Sequence, residues 1–214
     1  MKTLKLLGCA LVLSFLGSSS ANAGPMIYNA TPGKYTIAIT LPNGKVDTQD
    51  ISGNSSGLGT TSFVLAAGVK SVKVEITDDT GETVWKGSAK DDDTYVLVPD
   101  AKGVKAVYAG VYGSPDSPQA GLFMNATGEP LTIDLEGHNG VGATRGIAPG
   151  TSFDPKKLVR LDANEVTYDV QGKLKGGEKV EITGTVGPGR YCLLWKNYKG
   201  DIQITSLGKI PRKK

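Results

Sequence analysis

Residues 72–77, Val-Lys-Val-Glu-Ile-Thr, alternate apolar and polar side chains at every position. A period of two places one set of side chains on each face of an extended chain, so this segment predicts a half-buried β-strand. The next residues, Asp78-Asp-Thr-Gly81, have the composition of a turn, and Thr83-Val-Trp85 provides a returning strand. Together these segments predict a β-hairpin.

The composition of the whole chain favours the same fold class. Its 214 residues include 29 Gly and 11 Pro, without a collagen-like period and with an ordinary 39% of hydrophobic residues. No segment carries a sustained apolar stripe at helical spacing, so the sequence predicts an all-β protein. Residues 95–98 and 191–195 are apolar on both faces, and we expect them to be central strands inside a sandwich.

The chain contains an internal repeat, which we interpret as a tandem duplication. Ile27-Tyr-Asn-Ala-Thr31 recurs 96 residues later as Phe123-Met-Asn-Ala-Thr127. Further matches follow in the same order: Thr36-Ile-Ala-Ile39 with Thr132-Ile-Asp-Leu135, Thr61-Ser-Phe63 with Thr151-Ser-Phe153, Gly81 with Gly172, and Tyr95-Val-Leu-Val98 with Tyr191-Cys-Leu-Leu194. Val166, Tyr168 and Val170 before Gln171-Gly172 are expected to repeat the hairpin.

The repeat sets the expected domain organisation. Two tandem β-sandwich domains, Ig-like in a loose sense, are predicted at residues 24–113 and 119–214. Residues 114–118, Ser-Pro-Asp-Ser-Pro, have the composition of a linker. Asn29 and Asn125 occupy the same repeat position at a strand end, where an Asn side chain is expected to stabilise a turn.

Residues 1–23 have the layout of a secretory signal peptide. A positively charged start precedes an apolar stretch at 6–16 and a small-x-small site that ends at Ala23. Cleavage there predicts a mature chain in the bacterial periplasm, with Cys192 as its single cysteine and no intramolecular disulfide. No later apolar run approaches the ~18 residues that span a bilayer, so the mature chain is not expected to cross a membrane.

Residues that commonly carry catalysis or hold metals are few and isolated. His138 is the one histidine, within the turn-like segment 136–140, and no serine has a Gly-x-Ser-x-Gly context. Asp91-Asp-Asp93 lacks the alternating oxygen ligands of a calcium loop and is interpreted as a solvated turn. Cys192 and His138 lack the paired spacing of a metal site. We therefore predict no catalytic site, no cofactor and no metal, and do not expect an enzyme.

Charge is distributed unevenly along the chain. Residues 24–118 contain 8 Lys and Arg against 11 Asp and Glu, a net charge of −3, whereas residues 119–214 contain 14 against 10, a net charge of +4. Four of these cations lie at the C-terminus and are the candidate partner- or polymer-binding residues: Lys209, Arg212, Lys213 and Lys214. A basic tail attracts an acidic polymer or partner surface in a salt-sensitive way, and the alternative role is solubility at a frayed end. The net charge of +3 for the whole chain does not indicate nucleic-acid binding.

Several of these segments resemble the periplasmic alginate O-acetylation adaptors, the AlgF-like family. The resemblance lies in Ile27–Thr31, in Thr94-Tyr-Val-Leu-Val98, in the bridge Val104–Tyr112 and in Leu122-Phe-Met-Asn125, and it covers most of the mature chain. The glycine-rich segment 137–150 departs from the family.

The resemblance implies a non-catalytic adaptor in the O-acetylation of an exopolysaccharide such as alginate. Its expected partners are periplasmic and membrane polysaccharide O-acetyltransferase proteins, which would carry the catalysis, and an acidic polysaccharide. Docking by addition of a strand to an exposed sheet edge is the expected mode. Two alternatives stay open: a structural envelope protein, and a carbohydrate-binding module. The second would need exposed aromatic rings, although we expect most of the available rings to be core or sheet-covering residues: Trp85, Tyr108, Tyr112, Trp195 and Tyr198.

Overall fold

The computed structural model of the chain is an all-β protein, which confirms the expected fold class. It describes residues 22–54, 57–113, 120–138, 140, 142–162 and 167–211, with the backbone alone at residues 22 and 23. None of these residues belongs to a helix with the length and hydrophobicity needed to cross a bilayer. The predicted signal peptide lies outside the described residues except for its last two positions, and the predicted linker 114–118 lies wholly outside them.

The strands of the N-terminal half precede the predicted linker. They are β1 (Asn22–Asn29), β2 (Tyr35–Thr40), β3 (Val46–Ile51), β4 (Gly59–Leu65), β5 (Ser71–Asp78), β6 (Thr83–Lys90), β7 (Asp93–Asp100) and β8 (Gly103–Val111).

The C-terminal half adds ten strands and one short 3-10 helix, Pro155–Lys157, among the described residues. The strands are β9 (Ala120–Asn125), β10 (Leu131–Gly137), β11 (Gly142–Ile147), β12 (Val159–Arg160), β13 (Tyr168–Leu174), β14 (Lys179–Val180), β15 (Ile182–Thr183), β16 (Thr185–Val186), β17 (Arg190–Lys196) and β18 (Ile202–Lys209).

Three sheets organise the described strands. The largest has nine strands from both halves, in the order β12-β9-β17-β18-β8-β7-β1-β4, with β15 paired to β18. A four-stranded sheet, β3-β2-β5-β6, covers the N-terminal part of the large sheet. A five-stranded sheet, β11-β10-β13-β14 with β16 beside β13, covers its C-terminal part. Each half is therefore a β-sandwich.

The hairpin predicted from residues 72–85 is confirmed as β5 and β6. Val72, Val74 and Ile76 are buried in the N-terminal core, whereas the intervening side chains lie outside it. In the turn, a carboxylate oxygen of Asp78 accepts hydrogen bonds from the backbone N–H groups of Thr80 and Glu82 at 3.0 and 2.9 Å. The local period and turn chemistry thus suffice to form this element.

A central core lies between the two sandwiches. Val96 and Val98 of β7 pack there with Leu193 and Trp195 of β17, whereas Leu97 faces the N-terminal core. The prediction that residues 95–98 and 191–195 are central strands is confirmed, because β7 and β17 are interior strands of the large sheet with apolar residues buried on both faces. Parts of the large sheet from both halves therefore share this central core.

Two further connections join the halves. Strands β8 and β18 pair at Val111 and Lys209, so the large sheet is continuous between the halves. The Asn54 amide Nδ2 donates to the carbonyl oxygens of Ala30 and Lys196, both at 2.8 Å. These two carbonyls belong to opposite halves, so one buried amide group links the two halves.

The turn role predicted for Asn29 and Asn125 is confirmed. Asn29 Nδ2 donates to the carbonyl oxygens of Gly33 and Ser52 at 2.8 and 2.9 Å. Its Oδ1 accepts from the backbone N–H and the hydroxyl of Thr31 at 2.9 and 2.8 Å. Asn125 makes the corresponding four hydrogen bonds in the second half. Each buried amide therefore closes the chain segment that follows its strand, while the duplication itself remains a prediction.

The structure corrects the match between Tyr95 and Tyr191. Asn29 pairs with Leu97, and Asn125 pairs with Leu194, which is 97 rather than 96 residues further along the chain. Leu97 and Leu194 face the cores of their own sandwiches. The shared tyrosine is therefore one position out of structural register, and in a strand one position exchanges the two faces.

Two other sequence matches were also wrong in detail. Gly172 lies inside β13, and the turn comes later, at Gly176 and Gly177. The absence of a Cβ at Gly172 leaves space for the Ile182 side chain. Phe153 lies outside the strands, so it is not the counterpart of the core residue Phe63. Instead β12 pairs with β9 as β4 pairs with β1.

Candidate functional site

The basic tail begins beside a cleft between the two halves. Lys209 ends β18, where it pairs with Arg190 of β17 on one side and Val111 of β8 on the other. The other candidate tail residues, Arg212, Lys213 and Lys214, lie outside the described residues. The part of the tail that the structure describes therefore starts at the junction of the halves.

This inter-half cleft has a volume of about 500 Å³. Its N-terminal wall comes from β1, β7 and the end of β8, and its C-terminal wall comes from β16, β17, β18 and the segments beside them. The lining residues are Tyr28, Thr94, Tyr112, Thr167, Thr185, Gly187, Pro188, Arg190, Ser206, Leu207 and Gly208. Four of them carry aliphatic hydroxyl groups, two are tyrosines and none is acidic.

Arg190 and two tyrosine hydroxyls form the electrostatic centre of the inter-half cleft. Burial raises the pKa of the Tyr28 hydroxyl above its ordinary value; Tyr112 raises it further, and the positive charge of Arg190 lowers it. The Arg190 guanidinium donates to the carbonyl oxygen of Leu207 at 3.2 Å. Within the described part of the chain Arg190 forms no salt bridge. Since guanidinium carries five N–H donors, this geometry leaves donors for a ligand.

Thr94 gives the cleft wall an unusual polar group. The residue is 1% exposed, and its hydroxyl has no hydrogen-bond partner among the described residues. Buried hydroxyl groups are normally paired, because an unpaired one costs about 1–3 kcal/mol of desolvation free energy. An unpaired Thr94 hydroxyl is therefore a feature that the packing of the fold alone does not explain.

A second, basic groove lies beside β9 and β12 in the C-terminal half, with a volume of about 340 Å³. Its cations are Arg145, Lys156 and Lys157, and its one carboxylate, Asp154, lies 3.8 Å from the Lys157 ammonium. Phe123 contributes to its apolar wall. The basic groove thus combines a net positive charge with apolar surface.

Strand β4 is an uncharged edge of the large sheet. Its sequence, Gly-Thr-Thr-Ser-Phe-Val-Leu, contains no charged residue, and among the described strands it pairs with β1 alone. Val64 is 74% exposed on its outer face. Natural proteins usually protect such edges with charge, proline or a bulge, because an open edge pairs readily with another strand. At the opposite end of the sheet β12 is only two residues long and carries Arg160.

The five aromatic candidates separate into different environments. Trp195 is a core residue, 3% exposed, in agreement with the role expected for most of the five rings. Trp85 and Tyr108 belong to a row in which neighbouring ring centroids are 4.9 to 6.1 Å apart, running from Trp85 through Tyr95, Tyr108 and Tyr191 to Phe153. Tyr112 lines the inter-half cleft, and Tyr198 is exposed in a turn.

The remaining chemistry-bearing candidates are not brought together. Asp91 and Asp92 form a turn, whereas Asp93 is buried, and one of its carboxylate oxygens accepts from the backbone N–H of Lys90 at 2.8 Å. Burial raises the pKa of the Asp93 carboxyl, and the Lys90 N–H opposes the rise. The described residues contain no group of three or more His, Cys, Asp and Glu placed to hold a metal ion.

No known protein family matches this sequence, and no curated protein matches it. The resemblance to the alginate O-acetylation adaptors therefore remains a prediction. Sequence reasoning named Tyr112 but missed Tyr28, Thr94 and Arg190. These residues come from separate strands and carry no shared local motif, so no signal along the chain could have grouped them.

Proposed function

We propose that this protein is a non-catalytic periplasmic adaptor in the O-acetylation of an exopolysaccharide. In this role it is exported by the segment 1–23 and docks periplasmic and membrane O-acetyltransferase proteins, which carry the chemistry. The resemblance noted in the sequence supports the pathway, and the two packed sandwiches support a scaffolding role.

The uncharged edge strand β4 is the observation that carries this proposal. A partner segment that pairs with β4 extends the nine-stranded sheet by main-chain hydrogen bonds, and alternate side chains of the added strand contact the outer face near Val64. The absence of charge along seven residues removes the usual barrier to such pairing. The edge strand of the smaller sheet, β3, carries Asp47 and Asp50 and is less suited to it.

Deletion of the gene in the bacterium that carries it tests the proposal. We expect the acetyl content of the exopolysaccharide, measured by proton NMR, to fall at least about tenfold while the amount of polymer is retained. Complementation with Val64→Lys should restore less than half of the acetylation, because a lysine at the edge opposes strand addition. Val46→Lys is the matched control, since Val46 is also exposed, at 54%, but lies at the start of β3.

Three results would contradict the proposal. Unchanged acetylation in the deletion strain removes the pathway assignment. Equal complementation by Val64→Lys and Val46→Lys removes β4 as the docking edge. Acetylesterase activity of the purified protein would contradict the non-catalytic role.

The second candidate function is a carbohydrate-binding β-sandwich protein. The hydroxyl-rich lining of the inter-half cleft, with Tyr28, Tyr112 and Arg190, is the observation that favours it.

A further inference from the structure

We propose that the inter-half cleft binds a carboxylated sugar unit of an acidic polysaccharide. The inference rests on the proposed function in taking an exopolysaccharide as the ligand, and it adds the site and the charge class of the sugar.

Arg190 is the group that selects a carboxylate. It lies in a wall without acidic lining residues, and in the β-ladder of β17 and β18 it is opposite another cation, Lys209. Its guanidinium donates one hydrogen bond to the carbonyl oxygen of Leu207, which orients the planar group. The remaining N–H donors match the two oxygens of a carboxylate in a bidentate arrangement.

The rest of the lining suits a polyhydroxylated ligand. Hydroxyl groups of Thr94, Thr167, Thr185 and Ser206 can each donate and accept, as can those of the two tyrosines. Tyrosine rings also offer an apolar face beside a polar tip, which fits the alternating C–H and O–H surface of a sugar ring.

The Thr94 hydroxyl is the second, independent indication of a ligand. It is fully buried in the wall and unpaired within the described part of the chain. A rotation of the Thr94 side chain toward the cleft would let a hydroxyl or carboxylate oxygen of a bound sugar supply the partner that the fold does not. The cost of leaving the group unpaired in the free protein is then recovered on binding.

A peptide ligand fits this cleft less well. The aliphatic lining side chains of the cleft that lack a hydroxyl group, Pro188 and Leu207, are both buried, so a hydrophobic anchor would find mainly the faces of the tyrosine rings there. Anchors of that kind dominate the affinity of most protein interfaces. The basic groove beside β9 and β12 offers an apolar surface for such an anchor in the half-exposed side chain of Leu158.

Isothermal titration calorimetry of the purified protein at physiological ionic strength tests the inference. The probe is hexa-β-1,4-D-mannuronate, and cellohexaose is the neutral counterpart with the same linkage. We expect saturable binding of the hexamannuronate and none of cellohexaose. Hexaglutamate, the acidic peptide control, should bind at least about tenfold more weakly than the hexamannuronate.

Two variants and one matched control locate the site. Arg190→Gln should weaken hexamannuronate binding at least about tenfold, because a charge-assisted bidentate contact is lost. Lys199→Gln removes the same charge from an exposed turn and should leave the affinity unchanged. Thr94→Val should weaken binding by a factor of about three or more while the free protein melts no lower than wild type, which separates a ligand contact from a folding role.

Each outcome decides the inference. It is overturned if the wild type does not bind the hexamannuronate, if Lys199→Gln weakens binding as much as Arg190→Gln, or if hexaglutamate binds equally well. Loss of acetylation on gene deletion without hexamannuronate binding would refute the cleft and leave the adaptor role. Binding with unchanged acetylation would refute the adaptor role and leave the cleft.

Discussion

Replacing Asn125 by alanine removes a buried amide that makes four hydrogen bonds. Its Nδ2 donates to the carbonyl oxygens of Glu129 and Ile147 at 2.8 and 2.9 Å. Its Oδ1 accepts from the backbone N–H of Thr127 at 3.0 Å and from the Thr127 hydroxyl at 2.7 Å. Asn125 is 1% exposed, so water does not reach these groups in the folded protein. In Asn125→Ala its former partners are left without the amide.

The expected loss of stability follows from these contacts. A typical hydrogen bond contributes about 1 kcal/mol net, so four contribute about 4 kcal/mol, and unpaired buried partners make the loss no smaller. Native proteins are stable by only about 5–15 kcal/mol, so this is a large fraction of the total. Asn29→Ala in the first half removes four bonds of the same kind and should cost a similar amount.

Equilibrium urea unfolding, followed by tryptophan fluorescence, measures the effect. With a urea m-value of about 2 kcal/mol per M, the midpoint should fall by about 2 M in each variant. Asn197→Ala is the matched control. Its amide also closes a turn, accepting from the N–H groups of Lys199 and Asp201 at 2.9 Å, but the turn is exposed. The control should lose no more than about 1 kcal/mol. A loss below about 1 kcal/mol for Asn125→Ala would refute the assignment of the buried amides as main supports of the two turns.

Two further predictions concern titratable groups. Burial raises the pKa of the Cys192 thiol to about 12. The native protein at pH 8 should therefore react with a thiol reagent at least about a hundredfold more slowly than the urea-unfolded chain. Similar rates would show that Cys192 is accessible. Burial raises the pKa of the Tyr108 hydroxyl from 10.0 to about 12, with a smaller contribution from the charge of Asp93. As the pH rises, the unfolded chain therefore loses this proton before the folded protein does. The free energy of unfolding should fall between about pH 10 and 12. Because Tyr108 is 38% exposed, its share of the fall should be about 1 kcal/mol. In urea titrations at pH 9 and pH 11, Tyr108→Phe but not Tyr198→Phe should remove this share, while Tyr28, Tyr95 and Tyr191, whose pKa values burial also raises, keep theirs.

Local patterns predicted the strands and turns that depend on neighbours in sequence. The alternation at 72–77 identifies β5, and the repeat position of Asn29 identifies a turn, because strand period and Asn hydrogen bonding act over a few residues. The burial of residues 95–98 on both faces of the sheet could also be predicted from the sequence. What covers their second face was not, because Leu193 lies about a hundred residues away along the chain.

The same limit applies to the candidate site. Tyr28, Thr94 and Arg190 meet because the two halves pack together around a shared central core, and that packing leaves no trace in local spacing. The match of Tyr95 with Tyr191 failed for a related reason. Identity of a residue type does not fix strand register, which depends on the neighbouring strand with which each residue pairs.

The shared central core has a consequence for biosynthesis. A nascent chain presents Val96 and Val98 long before the ribosome reaches Leu193 and Trp195, which cover them in the finished protein. At typical rates of about 5–20 residues per second, that apolar face waits roughly 5–20 s for its cover. During this interval the first sandwich exposes an apolar surface that is prone to aggregation. Holdase chaperones would therefore have their greatest effect on the yield of folded protein during this interval.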